Sequence, residues 1–120
     1  MTIRRAVPDI HTKSPTESSA FYTLLGFEEV MNLGWVTTMA SPSNPTAQIT
    51  LITEEQTAPV VPDISVEVED VDAVHAAVRA SGAEIVRDLR DEPWGVRRFF
   101  VRDPNGKIIN VVSHQQGSPD

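Results

Sequence analysis

The residues of this chain best suited to chemistry are carboxylates and a histidine at alternate positions of two predicted strands. Asp9 and His11 lie in "AVPDIHT", and Asp63 and Glu67 lie in "DISVEVE". Because alternate residues of a strand share a face, we expect each pair to point inward. Such groups could share a proton as a general acid or base, or Asp9, His11 and Asp63 could hold a metal. We favour solvated carboxylates that line an open groove, and a structural or solvent-facing role suits His11 equally well.

The two tryptophans are placed where they could contact a flat ligand. Trp94 stands between Pro93 and Gly95 in a predicted loop, and Trp35 opens the third predicted strand. A ring stacked on an indole gains about 0.5–1.5 kcal/mol beyond the area it buries, and a cation gains about 0.5–2 kcal/mol. We therefore predict that both tryptophans contact a ligand. The alternatives are that Trp94 plugs the end of a barrel and that Trp35 is ordinary strand packing.

The composition argues against several other functions. The 120 residues include no cysteine, which excludes disulfides, thiolate metal sites and cysteine nucleophiles. The sequence also lacks a nucleophile elbow and a phosphate-binding loop. A net charge of −7 argues against nucleic acid as a partner and suits a neutral or cationic small molecule. With no apolar run of membrane-spanning length and no secretion signal, we expect a cytoplasmic protein that does not bind membranes.

The first half of the chain contains a strand, a helix and three further strands. A strand interrupted by Pro8 precedes the helix "SPTESSAFYTLLG", in which Ser14 and Glu17 form a capping box and Gly26 ends the helix. The strands "FEEVMNL", "WVTTMAS" and "AQITLIT" follow. The apolar stripe predicted to face the core consists of Ala20, Phe21, Leu24 and Leu25.

The second half repeats this order. Asp70 caps the helix "VDAVHAAVRAS", which ends at Gly82. The strands "AEIVRD", "VRRFFVR" and "KIINVVSH" follow, and "DPNG" predicts a hairpin turn between the last two. His75 is predicted to lie on the helix surface, and His114 at the frayed end of the last strand.

An internal repeat with this element order predicts an α+β fold of two βαβββ modules, with helices outside and a cleft within. The predicted modules are residues 1–56 and 57–114 of a single domain, and residues 115–120 form a disordered tail.

The arrangement resembles the vicinal-oxygen-chelate superfamily, which includes glyoxalase I, extradiol dioxygenases and bleomycin-resistance proteins. The likeness covers nearly the whole chain and rests on "SSAFYTLLGF", "DISVEVEDVDAVHAAVRASGAEI" and "RDPNGKIINVV". "AVP" in the first strand and "EPWG…VRDPNG" look most like the bleomycin-resistance branch. That resemblance implies a homodimer that swaps its N-terminal strand about such a proline, with a ligand stacked on aromatic residues in a groove between the subunits.

The enzymes of this superfamily hold a divalent metal with His, Glu or Gln side chains from four strand positions. Carried over one at a time, these positions fall on Val7, Thr50, Asp63 and Asn110. Valine cannot be a ligand, and the other three side chains make a poor site for a transition metal. We therefore expect neither a metal nor another cofactor.

The resemblance and the strand alternation together predict a groove of mixed polarity, which is typical of small-molecule sites. The side chains expected to contact its ligand are Trp35, Trp94, Phe100, Asp9, His11, Thr50, Asp63, Glu67, Arg98 and Asn110.

The leading prediction is a metal-independent protein without catalytic residues that sequesters an aromatic or cationic antibiotic or metabolite. The first alternative is a metal-dependent lyase, isomerase or dioxygenase with an atypical site around Asp63. The second is a structural dimer or regulatory subunit with a vestigial groove. Arg97 and Arg98 are expected to form surface pairs of little energetic weight with Asp91, Glu92 or a partner subunit.

Overall fold

Eight strands and two helices follow one another in the predicted order, strand, helix and three strands, twice. A computed structural model describes residues 2–114. The elements are β1 Ile3–His11, α1 Pro15–Leu25, β2 Glu28–Asn32, β3 Val36–Ser41, β4 Asn44–Ile52, β5 Ile64–Val68, α2 Val71–Ser81, β6 Ile85–Asp91, β7 Val96–Arg102 and β8 Ile108–His114. The order confirms the α+β fold, while the predicted tail lies outside the described residues.

The chain divides into two compact units. The first unit is Val7–Val61, and the second consists, among the described residues, of 2–6 together with 62–114. In the first unit the strand order is β2-β3-β4-β1, with β1 and β4 parallel. In the second unit the order is β1-β5-β8-β7-β6, with β5 and β8 parallel and the β6–β7–β8 pairs antiparallel. Strand β1 therefore contributes its beginning to one unit and its end to the other.

Strand β1 continues through Pro8, so the predicted interruption is wrong. Proline removes one ladder donor but keeps its carbonyl, and here the residue is exposed. The later part of β1 pairs with β4, where Asp9 lies opposite Thr50. Near its beginning, the carbonyl of Thr2 accepts the N–H of Glu69 at 3.0 Å. Strand β1 therefore makes these hydrogen bonds with other segments of its own chain.

Helix α1 exposes the apolar stripe that was predicted to face the core. Phe21, Leu24 and Leu25 are 55%, 85% and 63% exposed, and no residue of α1 is buried. Tyr22 turns inward instead, and its ring lies edge-on to Phe27 at 6.2 Å. Leu24, two residues on and about 200° around the helix, consequently faces away. The core of the first unit, against which Tyr22 and Phe27 pack, is Met39, Ile49 and Leu51.

The capping box predicted for α1 does not form. Ser14 is the N-cap residue, but its side chain makes no capping hydrogen bond. Thr12 orders this turn, because its Oγ1 accepts the N–H of Ser14 at 3.0 Å and lies 2.8 Å from the hydroxyl of Ser18. The C-terminal end is as predicted, since Gly26 is left-handed with φ 112° and donates its N–H to the carbonyl of Thr23.

Helix α2 packs on the sheet of the second unit. Asp70 caps it as predicted, with Oδ1 accepting the N–H of Ala73 at 3.1 Å. His75, predicted to be on the surface, is half-buried because its ring packs edge-on against Phe99 at 4.9 Å and hydrogen-bonds Asp88 at 2.9 Å. The core beneath α2 is Val68, Val71, Phe99 and Val111. Within residues 2–114, no helix is long and apolar enough to cross a membrane.

The "DPNG" turn joins β7 to β8 as the sequence predicted. Oδ1 of Asp103 accepts the N–H groups of Asn105 and Lys107 at 2.8 and 2.9 Å. Gly106 has a φ of 87°, a left-handed conformation that glycine adopts without strain. The two strands then pair along their whole length, so the turn fixes which residues stand opposite one another.

Candidate functional site

The sheet of the second unit has two chemically different faces. On one face, Val66, Phe99 and Val111 join the apolar core beneath α2. The alternate residues point the other way, and we call that side the inner face. Register places Arg87 of β6 opposite Phe100 of β7, and Phe100 opposite Asn110 of β8. On and beside β5, β7 and β8, the inner face carries Asp63, Ser65, Glu67, Arg98, Phe100, Ile108, Asn110 and Val112.

A buried carboxylate organises this face. Glu92, which follows β6, is 4% exposed, and Arg98 is 3% exposed. Nε of Arg98 donates to Oε2 of Glu92 at 2.7 Å, and Nη2 of Arg87 donates to Oε1 at 3.0 Å. The prediction of a surface pair is therefore wrong for Arg98. Buried charges must be compensated by partners with good geometry, and Glu92 provides this compensation for both guanidinium groups.

Arg97, one residue away, points to the opposite side of the strand and behaves as predicted. Its guanidinium pairs with Asp72 at 3.1 Å and with Asp91 at 3.2 Å, and all three side chains are substantially solvent-accessible. The hydrogen bonds that Arg97 donates to Asp72 and Asp91 raise the pKa of Arg97. Arg97 thus forms exposed ion pairs, whereas its neighbour Arg98 forms a buried ion pair.

The guanidinium of Arg98 contacts two aromatic rings. Its Cζ lies 4.9 Å from the ring centroid of Trp94 and 4.9 Å from that of Phe100. Cation–π contacts of this kind strengthen when they are desolvated. Trp94 is half-buried and Phe100 is fully buried. The arginine held by Glu92 therefore fixes the position of the loop tryptophan.

A second charged cluster lies further along the inner face. Oε1 of Glu67 accepts from Nε of Arg5 at 2.6 Å, and Oε2 accepts from Nδ1 of His114 at 2.9 Å. Burial raises the pKa of Glu67, but the hydrogen bond from His114 and the charge of Arg5 outweigh it and bring the pKa below its usual range. Sequence reasoning missed His114, although it is in phase with Asn110 and Val112 on β8.

Asn110 lies between these clusters and is almost completely buried. Its Nδ2 donates to the hydroxyl of Ser65 at 3.0 Å. Its Oδ1 is buried without a hydrogen-bond partner among residues 2–114. The oxygen of this amide therefore has no donor within the described part of the inner face.

The remaining predicted site residues lie in the first unit. Asp9 is buried opposite the half-buried Thr50, whereas His11 is exposed. Nε2 of His11 lies 3.1 Å from the carbonyl oxygen of Thr53, beyond the end of β4. His11 thus does not point inward with Asp9 as predicted. Trp35 is half-buried in the turn before β3, and its carbonyl accepts the N–H of Thr53 at 3.0 Å.

The positions that correspond to metal ligands do not fit a metal. Val7 is buried and apolar, and the amide of Asn110 is bound to Ser65. Asp63 is exposed, and its Oδ2 accepts the N–H of Ile108 at 2.8 Å. Across the part of the chain that the structure describes, no group of three or more His, Asp or Glu side chains could hold an ion. No catalytic step through a metal follows from these residues.

The first unit also contains an open cavity of about 400 Å³, which the sequence did not predict. It lies between the end of β1 and the start of α1, and its lining includes His11, Lys13, Glu17, Phe21 and Tyr22. Because the lining carries charges of both signs, it favours neither anions nor cations. The inner face, with its aromatic rings and fixed charges, has the more specific chemistry.

Comparison with known families supports one assignment. A family model described as the Glyoxalase/Bleomycin resistance protein/Dioxygenase superfamily matches residues 4–111. No curated protein matches the chain.

Solved structures resemble the fold at low identity. A structure described as NAD-dependent benzaldehyde dehydrogenase from Legionella pneumophila has a TM-score of 0.74 at 16% identity, covering 92% of this chain and 99% of its own. A glyoxalase/bleomycin resistance protein/dioxygenase superfamily member from Vibrio splendidus 12B01 has a TM-score of 0.67 at 18% identity, covering 93% and 99%. The Mn(II)-bound glyoxalase from Novosphingobium aromaticivorans has a TM-score of 0.61 at 21% identity, covering 98% of this chain and 40% of its own. At such identities the likeness shows the fold alone.

Proposed function

Because the chain belongs to the glyoxalase/bleomycin resistance protein/dioxygenase superfamily, we propose that it is a metal-independent protein that binds and sequesters a small aromatic molecule, such as an antibiotic or a metabolite. The observation that carries this proposal is the contact of one buried guanidinium, that of Arg98, with the rings of Trp94 and Phe100. A ring fixed before the ligand arrives loses little entropy on binding. The poor fit of the metal-ligand positions supports binding without metal chemistry.

The charges of the inner face favour an aromatic ligand over a cationic one. A cation would need an inward carboxylate, but Glu67 is paired with Arg5 and His114. Glu92 is paired with arginines and is buried. Of the carboxylates predicted to be solvated, Glu67 therefore already has positive partners, and Asp63 accepts the N–H of Ile108. The net charge of the whole chain does not describe this face.

Replacing Trp94 tests the binding proposal. Trp35→Phe leaves Trp94 as the only tryptophan, because the chain has two. We expect one or more members of a panel of neutral and cationic planar compounds to quench the fluorescence of this variant. Trp94→Ala should weaken binding of the same compound about tenfold, since a lost stacking contact is worth about 1 kcal/mol or more. Calorimetry of both variants measures that affinity.

Two results would favour the alternatives. No binding by any planar compound would leave a structural or regulatory protein with a vestigial groove. One equivalent of a divalent metal in the purified protein, lost in Asp63→Ala, would favour the lyase, isomerase or dioxygenase alternative. We expect less than one equivalent.

We also propose that the chain forms a homodimer through α1 and β2. Phe21, Leu24, Leu25 and Val30 are all more than half exposed, and β2 is an exposed edge strand. A stable interface buries about 800 Å² per partner, or roughly 20–30 residues, and the continuous segment 15–33 is nearly that long. A second copy offers the same apolar surface, as a two-fold interface requires. The swapped strand that the resemblance implied is not needed for this contact.

A charge placed on α1 tests this interface. Leu24→Glu should convert a dimer into a monomer in sedimentation equilibrium, because the charge would be buried unpaired between two copies. Ala77→Glu, which adds the same charge to an exposed position of α2 outside this segment, should remain dimeric. A wild-type protein that stays monomeric at all concentrations would contradict the proposal.

A further inference from the structure

The hydrogen bond between His114 and Glu67 assigns a tautomer to the imidazole ring. Nδ1 of His114 lies 2.9 Å from Oε2 of Glu67. An ionised carboxylate can only accept hydrogen bonds, and the lowered pKa of Glu67 keeps it ionised. Nδ1 must therefore carry the hydrogen. In the neutral ring the second nitrogen, Nε2, is then an acceptor.

Nε2 of His114 makes no hydrogen bond with any other described residue. The hydrogen bond to Glu67 is the one that His114 makes among residues 2–114. The side chain of His114 is 23% exposed and that of Glu67 is 15% exposed. An acceptor that is fixed by a carboxylate, partly open to solvent and without a partner among residues 2–114 has the form of a general base.

Register places this pair on the inner face beside the aromatic site. Glu67 lies opposite Val112 of β8, and His114, two residues on, points to the same side. Val96 of β7 stands opposite His114. Val96 and Arg98 are alternate residues of β7 and share a face. The guanidinium of Arg98 contacts the ring of Trp94.

We propose that His114, oriented by Glu67, accepts the proton of a phenolic or enolic O–H group of a ligand bound on the inner face. The O–H bond breaks and an Nε2–H bond forms. The ligand becomes an oxyanion, and the imidazolium is stabilised by the carboxylate of Glu67. This inference rests on the proposed function, which supplies the aromatic ring of the ligand. It adds that the ligand carries an acidic O–H group.

The charges around the pair suit this transfer. Arg5 neutralises the second oxygen of Glu67 and holds the carboxylate in place. The charged groups that the neighbouring elements present on this side are Arg5 of β1, Asp63 and Glu67 at and before β5, Arg87 and Arg90 of β6, Glu92 of the turn after β6 and Arg98 of β7. Four positive and three negative groups leave a net positive charge, which favours the anionic form of the ligand.

The experiment uses 4-nitrophenol, which absorbs visible light only as the phenolate. Binding is measured by tryptophan quenching and ionisation by phenolate absorbance across a pH series. We expect the apparent pKa of the bound probe to fall by about 1–3 relative to free probe, as for an acid beside an opposite charge. In His114→Gln we expect binding without this fall.

Two further variants separate proton transfer from a structural effect. His75→Gln removes the other histidine–carboxylate pair, which lies beneath α2 on the other face, and should keep the full fall in pKa. Glu67→Gln keeps a hydrogen-bond acceptor but removes the charge, and should bind the probe with a smaller fall. This variant decides the question if His114→Gln does not fold.

The possible outcomes are distinct. An equal fall in pKa for the wild type, His114→Gln and Glu67→Gln would overturn the assignment of His114 and leave the binding function intact. Binding of other planar compounds but not of 4-nitrophenol would overturn the phenolic ligand class. Failure of every planar compound to bind would overturn the proposed function as well.

Discussion

Glu92→Gln is expected to lower the free energy of unfolding by about 3–5 kcal/mol, which is the usual effect of removing one partner from a buried ion pair. The amide is nearly isosteric, so packing is preserved. The change removes the charge that compensates Arg87 and Arg98, both of which are buried. Urea denaturation followed by tryptophan fluorescence measures the loss.

The matched control removes an exposed carboxylate from a similar pair. Asp91 bonds Arg97 at 3.2 Å, and its side chain is 59% exposed. We expect Asp91→Asn to cost less than about 1 kcal/mol, because water screens an exposed pair. Equal losses in Glu92→Gln and Asp91→Asn would show that the buried pair is not an organising element of the inner face.

Phe99→Ala is expected to lower the free energy of unfolding by about 3–5 kcal/mol through lost burial and a residual cavity. Phe99 is fully buried and contacts both the core beneath α2 and the ring of His75. Phe21→Ala, on the exposed flank of α1, should change stability by only about 0.5 kcal/mol. Both changes belong in the Leu24→Glu background, so that self-association does not enter the urea measurement. Similar losses for the two would contradict the assignment of Phe99 to the core.

The parts of the fold set by local chemistry were predictable from sequence. Asp70 caps α2, and "DPNG" forms the hairpin, because a short side chain and a glycine satisfy the nearby backbone. The phase of α1 was not predictable in this way, because both of its sides carry apolar residues. The choice of Tyr22 over Leu24 depends on Phe27 and on strands that come later in the chain.

The residues of the candidate site were predictable only where they follow the alternation of side chains along a strand. The inner-face positions of β5, β7 and β8 follow from a period of two, and the same rule would have included His114. Glu92 gave no such signal, because it follows β6, whose pairing with β7 contains irregularities that shift the register. Tertiary structure determines which guanidinium groups contact Glu92.

The position of β1 determines how two fragments of this chain, divided between Val61 and Pro62, would behave. Arg5, near its beginning, bonds Glu67, which lies 62 residues further along the chain. A fragment beginning at Pro62 would lack the strand that lies beside β5, and a fragment ending at Val61 would carry that strand without its neighbour. An unpaired sheet edge accepts an added strand of matching register. The two fragments would therefore complement each other, and reassembly of the halves would depend on residues 2–6, the few residues that the N-terminal piece donates to its partner.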